Sequence, residues 1–181
     1  SGDMNGDRIS ANDLIYVPKT PTEIRFQPLS VVSNGVTRVY TEAEQQLAFD
    51  SYIKQDSYLR NRRGQYVERN SNILPMLHRI DLSVTQDFYI KIGGKNNNFQ
   101  FRADILNFTN FINKDWGISQ RVTNRNVLSY SALVNNEPYY KLATQTDAAG
   151  NRFLIKDTYQ KNANISDVWQ AQFTLRYIFG K

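Results

Sequence analysis

The residues with usable chemistry are few and scattered along the chain. The one histidine, His78, would have to serve any Ser-His-Asp hydrolase, yet it stands beside Arg79 at the start of a predicted strand and no nucleophile-elbow motif accompanies it. Asp81 and Asp104 have the look of paired catalytic carboxylates, but each has an arginine two positions before it, Arg79 and Arg102, and ion pairing explains them more simply. Asp3, Asn5 and Asp7 place oxygen ligands at alternate positions, as at the opening of a calcium loop, with Asp13 as a further donor. That pattern then decays, because Arg8 stands where the loop needs glycine and Leu14 where a bidentate acid belongs. Tyr130, Tyr139 and Tyr140 lie in a long polar stretch, where they either stack on a ligand or pack on their own loop. Cysteine is absent, which removes disulfides, thiol catalysis and cysteine metal sites together. No enzyme is expected, and calcium is the one candidate cofactor.

The elements that carry these residues are more informative. In the final segment Trp169, Ala171, Phe173, Leu175, Tyr177 and Phe179 fall on one face of an extended strand, and Gln170, Gln172, Thr174 and Arg176 on the other. A soluble sandwich strand alternates in the same way, but a long terminal strand with aromatic ends and a polar second face matches a membrane barrel strand. Two further segments repeat the pattern. Ile80, Leu82, Val84 and Phe88 alternate with Arg79, Asp81, Ser83, Thr85 and Asp87, with Gln86 a polar exception on the apolar side. Phe99, Phe101, Ala103 and Ile105 alternate with Gln100, Arg102 and Asp104.

These patterns predict strands over about 78–90, 99–108 and 168–179. Ile80, Leu82, Val84, Phe101, Ile105, Phe173, Leu175, Tyr177 and Phe179 would face the membrane. Arg79, Asp81, Arg102, Asp104 and Arg176 would face a water-filled lumen, which accommodates charge. The short turn Gly93–Asn98 is expected to be periplasmic and the stretch 110–167 an extracellular loop. Three strands leave two open edges, which lipid does not tolerate. With Ser1-Gly2 at its start and no signal peptide, the chain is expected to be a fragment.

Residues 1–75 read as a loop region with local structure. Thr41-Glu42-Ala43-Glu44 has capping-box spacing and predicts a helix over about 41–54, with Leu47, Phe49, Tyr52 and Ile53 available for packing. Segments 23–32 and 36–40 read as short strands around Ser33-Asn34-Gly35, the first confined to an edge by Pro28. The formal charge of +5 and pI near 9.4 permit nucleic-acid binding, but Arg60-Asn61-Arg62-Arg63 is the only basic cluster, so none is expected. No apolar run reaches the ~18 residues of a spanning helix.

Taken in order, Asp3-Met4-Asn5-Gly6-Asp7, Asn12-Asp13-Leu14-Ile15-Tyr16-Val17-Pro18, Ala48-Phe49-Asp50-Ser51-Tyr52-Ile53, Arg62-Arg63-Gly64-Gln65-Tyr66-Val67-Glu68-Arg69-Asn70 and His78-Arg79-Ile80-Asp81-Leu82 resemble the C-terminal region of TonB-dependent outer-membrane receptors. The similarity is to the Bacteroidetes, Oar-like branch, with a carboxypeptidase-regulatory-like N-terminal extension. Phe101-Arg102-Ala103-Asp104-Ile105-Leu106-Asn107-Phe108-Thr109-Asn110 resembles the penultimate-strand motif of those receptors.

The resemblance implies an all-β fold: the last antiparallel strands of a 22-stranded transmembrane barrel, with long extracellular loops carrying one short helix. It also implies energy-coupled uptake of a scarce ligand. The implied partners are the plug and upstream strands of the same receptor, TonB, outer-membrane lipid and the barrel assembly machinery. The C-terminus would be periplasmic, with Phe179 in the last position of the assembly signal ahead of Gly180-Lys181. The alternative is a secreted or surface β-sandwich that binds a partner; the two differ in whether Leu82, Phe173 and Leu175 face lipid or a second sheet.

Overall fold

The computed structural model describes residues 8–9, 13–71, 73–162 and 164–179. The fold is mostly strand, with one helix longer than two turns, and it divides into two compact units. The first unit comprises Ser1–Leu74 and Val122–Gln160; the second comprises Pro75–Arg121 and Lys161–Lys181. Among the described residues no sheet closes into a barrel.

In the first unit the helix Glu42–Gln55 forms where its capping box predicts. Thr41 Oγ1 accepts from Glu44 N at 3.3 Å, and Glu44 accepts from Thr41 N at 2.8 Å. The amide of Thr41, ahead of the Arg38 side chain, holds the Glu44 carboxyl below its usual range. The buried stripe is Gln45, Phe49, Tyr52 and Ile53, spaced for one helical face. Leu47 departs from expectation: it lies on the opposite side and is 64% exposed. Gln45 is fully buried, so its amide must be satisfied internally. It donates to Gln27 O at 2.7 Å and accepts from Leu142 N at 3.2 Å, tying the helix to the link after Arg25–Phe26 and to the strand ending at Leu142.

Around the helix lie short sheets. Leu29–Ser33 and Val36–Tyr40 form a hairpin whose turn residues Asn34 and Gly35 both have positive φ, 49° and 79°, as a tight two-residue turn requires. Leu128–Val134 pairs with Glu137–Leu142, and Arg25–Phe26 joins the latter in parallel through Tyr139 and Tyr140. Tyr16–Val17 pairs with Gln65–Tyr66, and Thr144–Thr146 with Arg152–Leu154. Residues 122–160, predicted as part of a long extracellular loop over 110–167, fold with the N-terminal segment around a shared core. Every buried hydrophobic side chain among the described residues belongs to this unit, from Val17 and Phe26 through Ile53 to Leu128 and Ile155.

The second unit is a three-stranded antiparallel sheet in the order Gln170–Ile178, Lys95–Leu106, Leu82–Ile92. The predicted boundaries shift for physical reasons. The hairpin turn is only Gly93-Gly94, with φ of 58° and 81°, so Lys95 to Asn98 extend the strand instead of lengthening the turn. At the other end Asn107 takes a left-handed φ of 51° and stops the ladder before the short helix Phe108–Ile112. Arg79, Ile80 and Asp81 consequently precede the first strand, which begins at Leu82. They remain tied to the turn: Asn107 N donates to Asp81 Oδ1 and Phe108 N to Ile80 O, each at 2.7 Å.

Candidate functional site

The register of the second unit aligns side chains in rows three strands wide. Leu82, Ile105 and Ala171 form one row; Val84, Ala103 and Phe173 the next; then Gln86, Phe101 and Leu175, followed by Phe88, Phe99 and Tyr177. Cross-strand partners share a face, so these rows make one continuous surface broken only by Gln86. That surface is not packed as a core. Val84 is 55% exposed, Phe173 68% and Leu175 72%. Soluble monomers rarely leave so broad an apolar face uncovered.

The opposite face is polar over its middle, with Leu106 at one end and Ile178 and Tyr89 at the other. Its rows are Ser83, Asp104 and Gln172; Thr85, Arg102 and Thr174; and Asp87, Gln100 and Arg176. Arg102 Nε reaches both oxygens of Asp104 at 2.9 and 2.8 Å, and Ser83 Oγ donates to the same carboxylate at 2.6 Å. Gln100 donates to Asp87 at 3.0 Å. Asp81 and Asp104 do not form a pair: Asp104 is held by Arg102, and Asp81 accepts from Asn107 N. Arg79 pairs with Asp167 at 3.2 Å and also donates to Ser166 O, beside the polar face and not on it.

Both ends of the sheet are marked by aromatic rings. Phe99 stacks on Tyr177 at 4.5 Å, Phe179 meets Tyr177 edge-on at 4.5 Å, and Tyr177 Oη donates to Asn97 at 2.6 Å. At the far end Phe111 lies between Phe108, at 6.0 Å, and Trp169, at 5.1 Å. Trp169 begins the terminal segment and Phe179 ends it, so each ring cluster includes a residue from one end of the alternating pattern.

Below the Trp169 end a buried polar knot joins the three chain segments. Asn107 is 1% exposed; its side-chain amide donates to Gly117 O at 3.0 Å and Asp167 O at 2.6 Å, while its oxygen accepts from Thr109. Gly117 is needed there, since a Cβ on it would come within 2.1 Å of Asn107 Oδ1. Asn110 donates to Lys114 O and Trp116 O and accepts from Trp169 N. The Ser119 hydroxyl and the Asn164 amide, ahead of the Arg79 charge, hold the Asp167 carboxyl below its usual range. Asn107, Asn110 and Asp167 were not singled out from sequence, because burial of a polar side chain leaves no trace in hydropathy.

Of the predicted membrane-facing residues, Leu82, Val84, Phe101, Ile105, Phe173, Leu175 and Tyr177 share the apolar rows, and Ile80 and Phe179 lie just beyond the strand ends. Of the calcium candidates, Asp3, Asn5 and Asp7 lie outside the described residues, and Asp13 lines a cavity of the first unit. Among the described residues no group of three His, Asp or Glu side chains could hold a metal ion. Tyr130 and Tyr140 pack edge to face at 6.4 Å, and Tyr139 lies under the Arg25 guanidinium at 5.5 Å, so these rings pack within their own unit. His78 is exposed and its carbonyl accepts from Thr109. Among the described residues no helix is long and apolar enough to cross a membrane, which says nothing of strands. Comparison with protein-family models, with curated proteins and with solved structures returns no match.

Proposed function

We propose that this chain is the C-terminal part of an outer-membrane TonB-dependent receptor, whose three long strands belong to the wall of a transmembrane barrel. The observation that carries the proposal is the inverted burial of the second unit. Its buried side chains among the described residues are polar, Asn97, Asn107, Asn110 and Asp167, while the large apolar side chains of mid-sheet, Val84, Phe101, Phe173 and Leu175, are exposed along one face. Water penalises that arrangement by roughly 25 cal/mol for each Å² of apolar surface left wet, and a hydrocarbon surround removes the penalty.

The dimensions agree with a bilayer. Trp169 and Phe179 are ten residue steps apart. At ~3.3 Å per step that is about 33 Å, and a tilt of ~40° projects it to about 25 Å, the height of a barrel's apolar band. Aromatic rings at both ends suit the two interfaces. The outer strands Leu82–Ile92 and Gln170–Ile178 each pair only with the central strand among the described residues, which leaves an edge on either side for further barrel strands.

In this reading the polar face lines the lumen and the Gly93-Gly94 turn is periplasmic. The segments leading out of the sheet at its opposite end reach the extracellular side. The receptor's plug, its upstream strands, TonB and the assembly machinery are its partners, and it carries no catalytic step of its own. Membrane fractionation of the native protein tests the proposal. The chain is expected in the outer-membrane fraction, resistant to salt and carbonate and released only by detergent; recovery in the soluble or secreted fraction contradicts it.

A further inference from the structure

Three cations of the first unit gather around one carboxylate. Asp50, 7% exposed on the helix Glu42–Gln55, is held on one oxygen by Lys54 Nζ and on the other by Arg63 Nη2, each at 2.6 Å. Arg63 also donates from Nη1 to Pro18 O at 3.1 Å, which fixes its guanidinium beside the start of the 18–19 segment. Lys19 follows Pro18, and its stem lies across Gly64: a Cβ there would come within 2.5 Å of Lys19 Cε and 2.9 Å of Lys19 Cγ. Gly64 has a φ of 78° and donates its N–H to Val17 O at 2.7 Å, so the crossing requires glycine.

The cluster is short of negative charge. Lys54 and Arg63 share Asp50, and the exposed ammonium of Lys19 makes no ion pair or hydrogen bond among the described residues. Glu23 accepts from Lys19 N at 2.9 Å and from the Tyr16 hydroxyl at 3.3 Å, and it forms no ion pair with that ammonium. Lys54 keeps two N–H donors and Lys19 three for a further acceptor. Anchoring by Asp50, Pro18 and Gly64 lowers the ordering cost of binding. Lys19, Lys54 and Arg63 set against Asp50 leave an excess of two positive charges at the cation heads. A phosphomonoester brings a charge of about −2 and three acceptor oxygens, whereas a carboxylate brings one charge and two oxygens.

We propose that Lys19, Lys54 and Arg63 bind a phosphoryl group, presented by a soluble phosphomonoester or by a lipid headgroup. The inference concerns the first unit alone and does not rest on the membrane reading of the second. It is tested by fluorine NMR on the full chain in phosphatidylcholine nanodiscs, with empty nanodiscs as the blank, using 4-fluorophenyl phosphate, 4-fluorobenzoate and 4-fluorophenol as probes. The phosphate is expected to bind at least fivefold more tightly than the benzoate, and the phenol no better than to empty nanodiscs. Lys19→Gln and Lys54→Gln should each weaken the phosphate at least threefold with helical circular dichroism retained; if Lys54→Gln loses that signal, Lys19→Gln decides. Arg38→Gln, which removes an equal charge beside Glu44 in the first turn of the helix, should leave binding unchanged. Nanodiscs containing phosphatidic acid separate the two sources: loss of probe binding there assigns the site to a lipid headgroup, and retained binding assigns it to a soluble ester. Phosphate binding no greater than in empty nanodiscs, unaltered binding in the folded lysine variants, or an equal loss in Arg38→Gln overturns the site; equal affinity for phosphate and benzoate overturns its phosphoryl preference.

Discussion

The two units solve the burial problem in opposite ways. In the first, Phe26, Ile53, Leu128 and Ile155 are at most 1% exposed, and its buried carboxylates are satisfied, Asp50 by Lys54 and Arg63, each 2.6 Å away, and Asp56 by the Tyr58 and Leu59 amides and the Thr158 hydroxyl. In the second, Leu175 and Phe173 are the exposed residues and Asn107 and Asp167 the buried ones. Hydrophobic content alone does not separate them, since Leu and Ile recur in both. Periodicity does, because a period of two over a whole strand sends each class of side chain to one face and leaves no third direction for a core.

The largest effect that distinguishes the units is expected from deleting core volume. Ile53→Ala should cost about 2 to 5 kcal/mol in the first unit, read as loss of helical circular dichroism. Both tryptophans, Trp116 and Trp169, lie in the second unit, so their fluorescence should stay unchanged through that transition. Simultaneous loss of both signals would mean that the units are not separate.

Charge insertion sharpens the comparison from the other side. Val84→Arg on the apolar face should cost roughly 2 to 4 kcal/mol and impair assembly in lipid, whereas Ser83→Arg should be tolerated. Ser83 sits beside Asp104 on the polar face, where a new cation stays in water. Equal effects at the two positions, measured by folding yield into vesicles, would remove the distinction between faces.

Alkaline titration comes next in size. Burial pushes the Tyr52 hydroxyl up to about 12, against an ordinary value near 10. The neutral phenol is thus favoured in the folded state. Its contribution is fully present below pH ~10 and is lost as pH rises through about 12, a change on the order of 2 to 3 kcal/mol. Helix ellipticity in a denaturant series at pH 8 and pH 12 measures it, and Tyr52→Phe should flatten the dependence. The smallest effect is at the helix start, where Thr41→Ala removes the cap and should cost about 1 kcal/mol in the same unfolding assay.

What the sequence made legible follows the range of each interaction. Alternation in Gln170–Ile178 and the capping box at Thr41 are local, so faces and helix could be read directly. The pairing of Arg25–Phe26 with Tyr139–Tyr140 joins segments more than a hundred residues apart, and nothing in either segment names the other. The 110–167 stretch therefore reads as one loop although Asn135 and Asn136, with φ of 48° and 65°, make the hairpin turn within it. The strand ends were displaced for a related reason. Asn107 stops the ladder through a left-handed turn and a buried set of hydrogen bonds, and an asparagine in sequence announces neither.

The most direct test of the central claim uses the absence of cysteine from this chain. Single cysteines at successive positions from Ala171 to Tyr177, each spin-labelled with the protein reconstituted in lipid vesicles, report contact with lipid through oxygen and contact with water through a polar nickel chelate. The labels at 171, 173, 175 and 177 should favour oxygen and those at 172, 174 and 176 the chelate, alternating without a break. A run in which 173 and 175 are accessible to neither reagent, as in a packed protein core, or in which all positions meet water alike, would contradict the account.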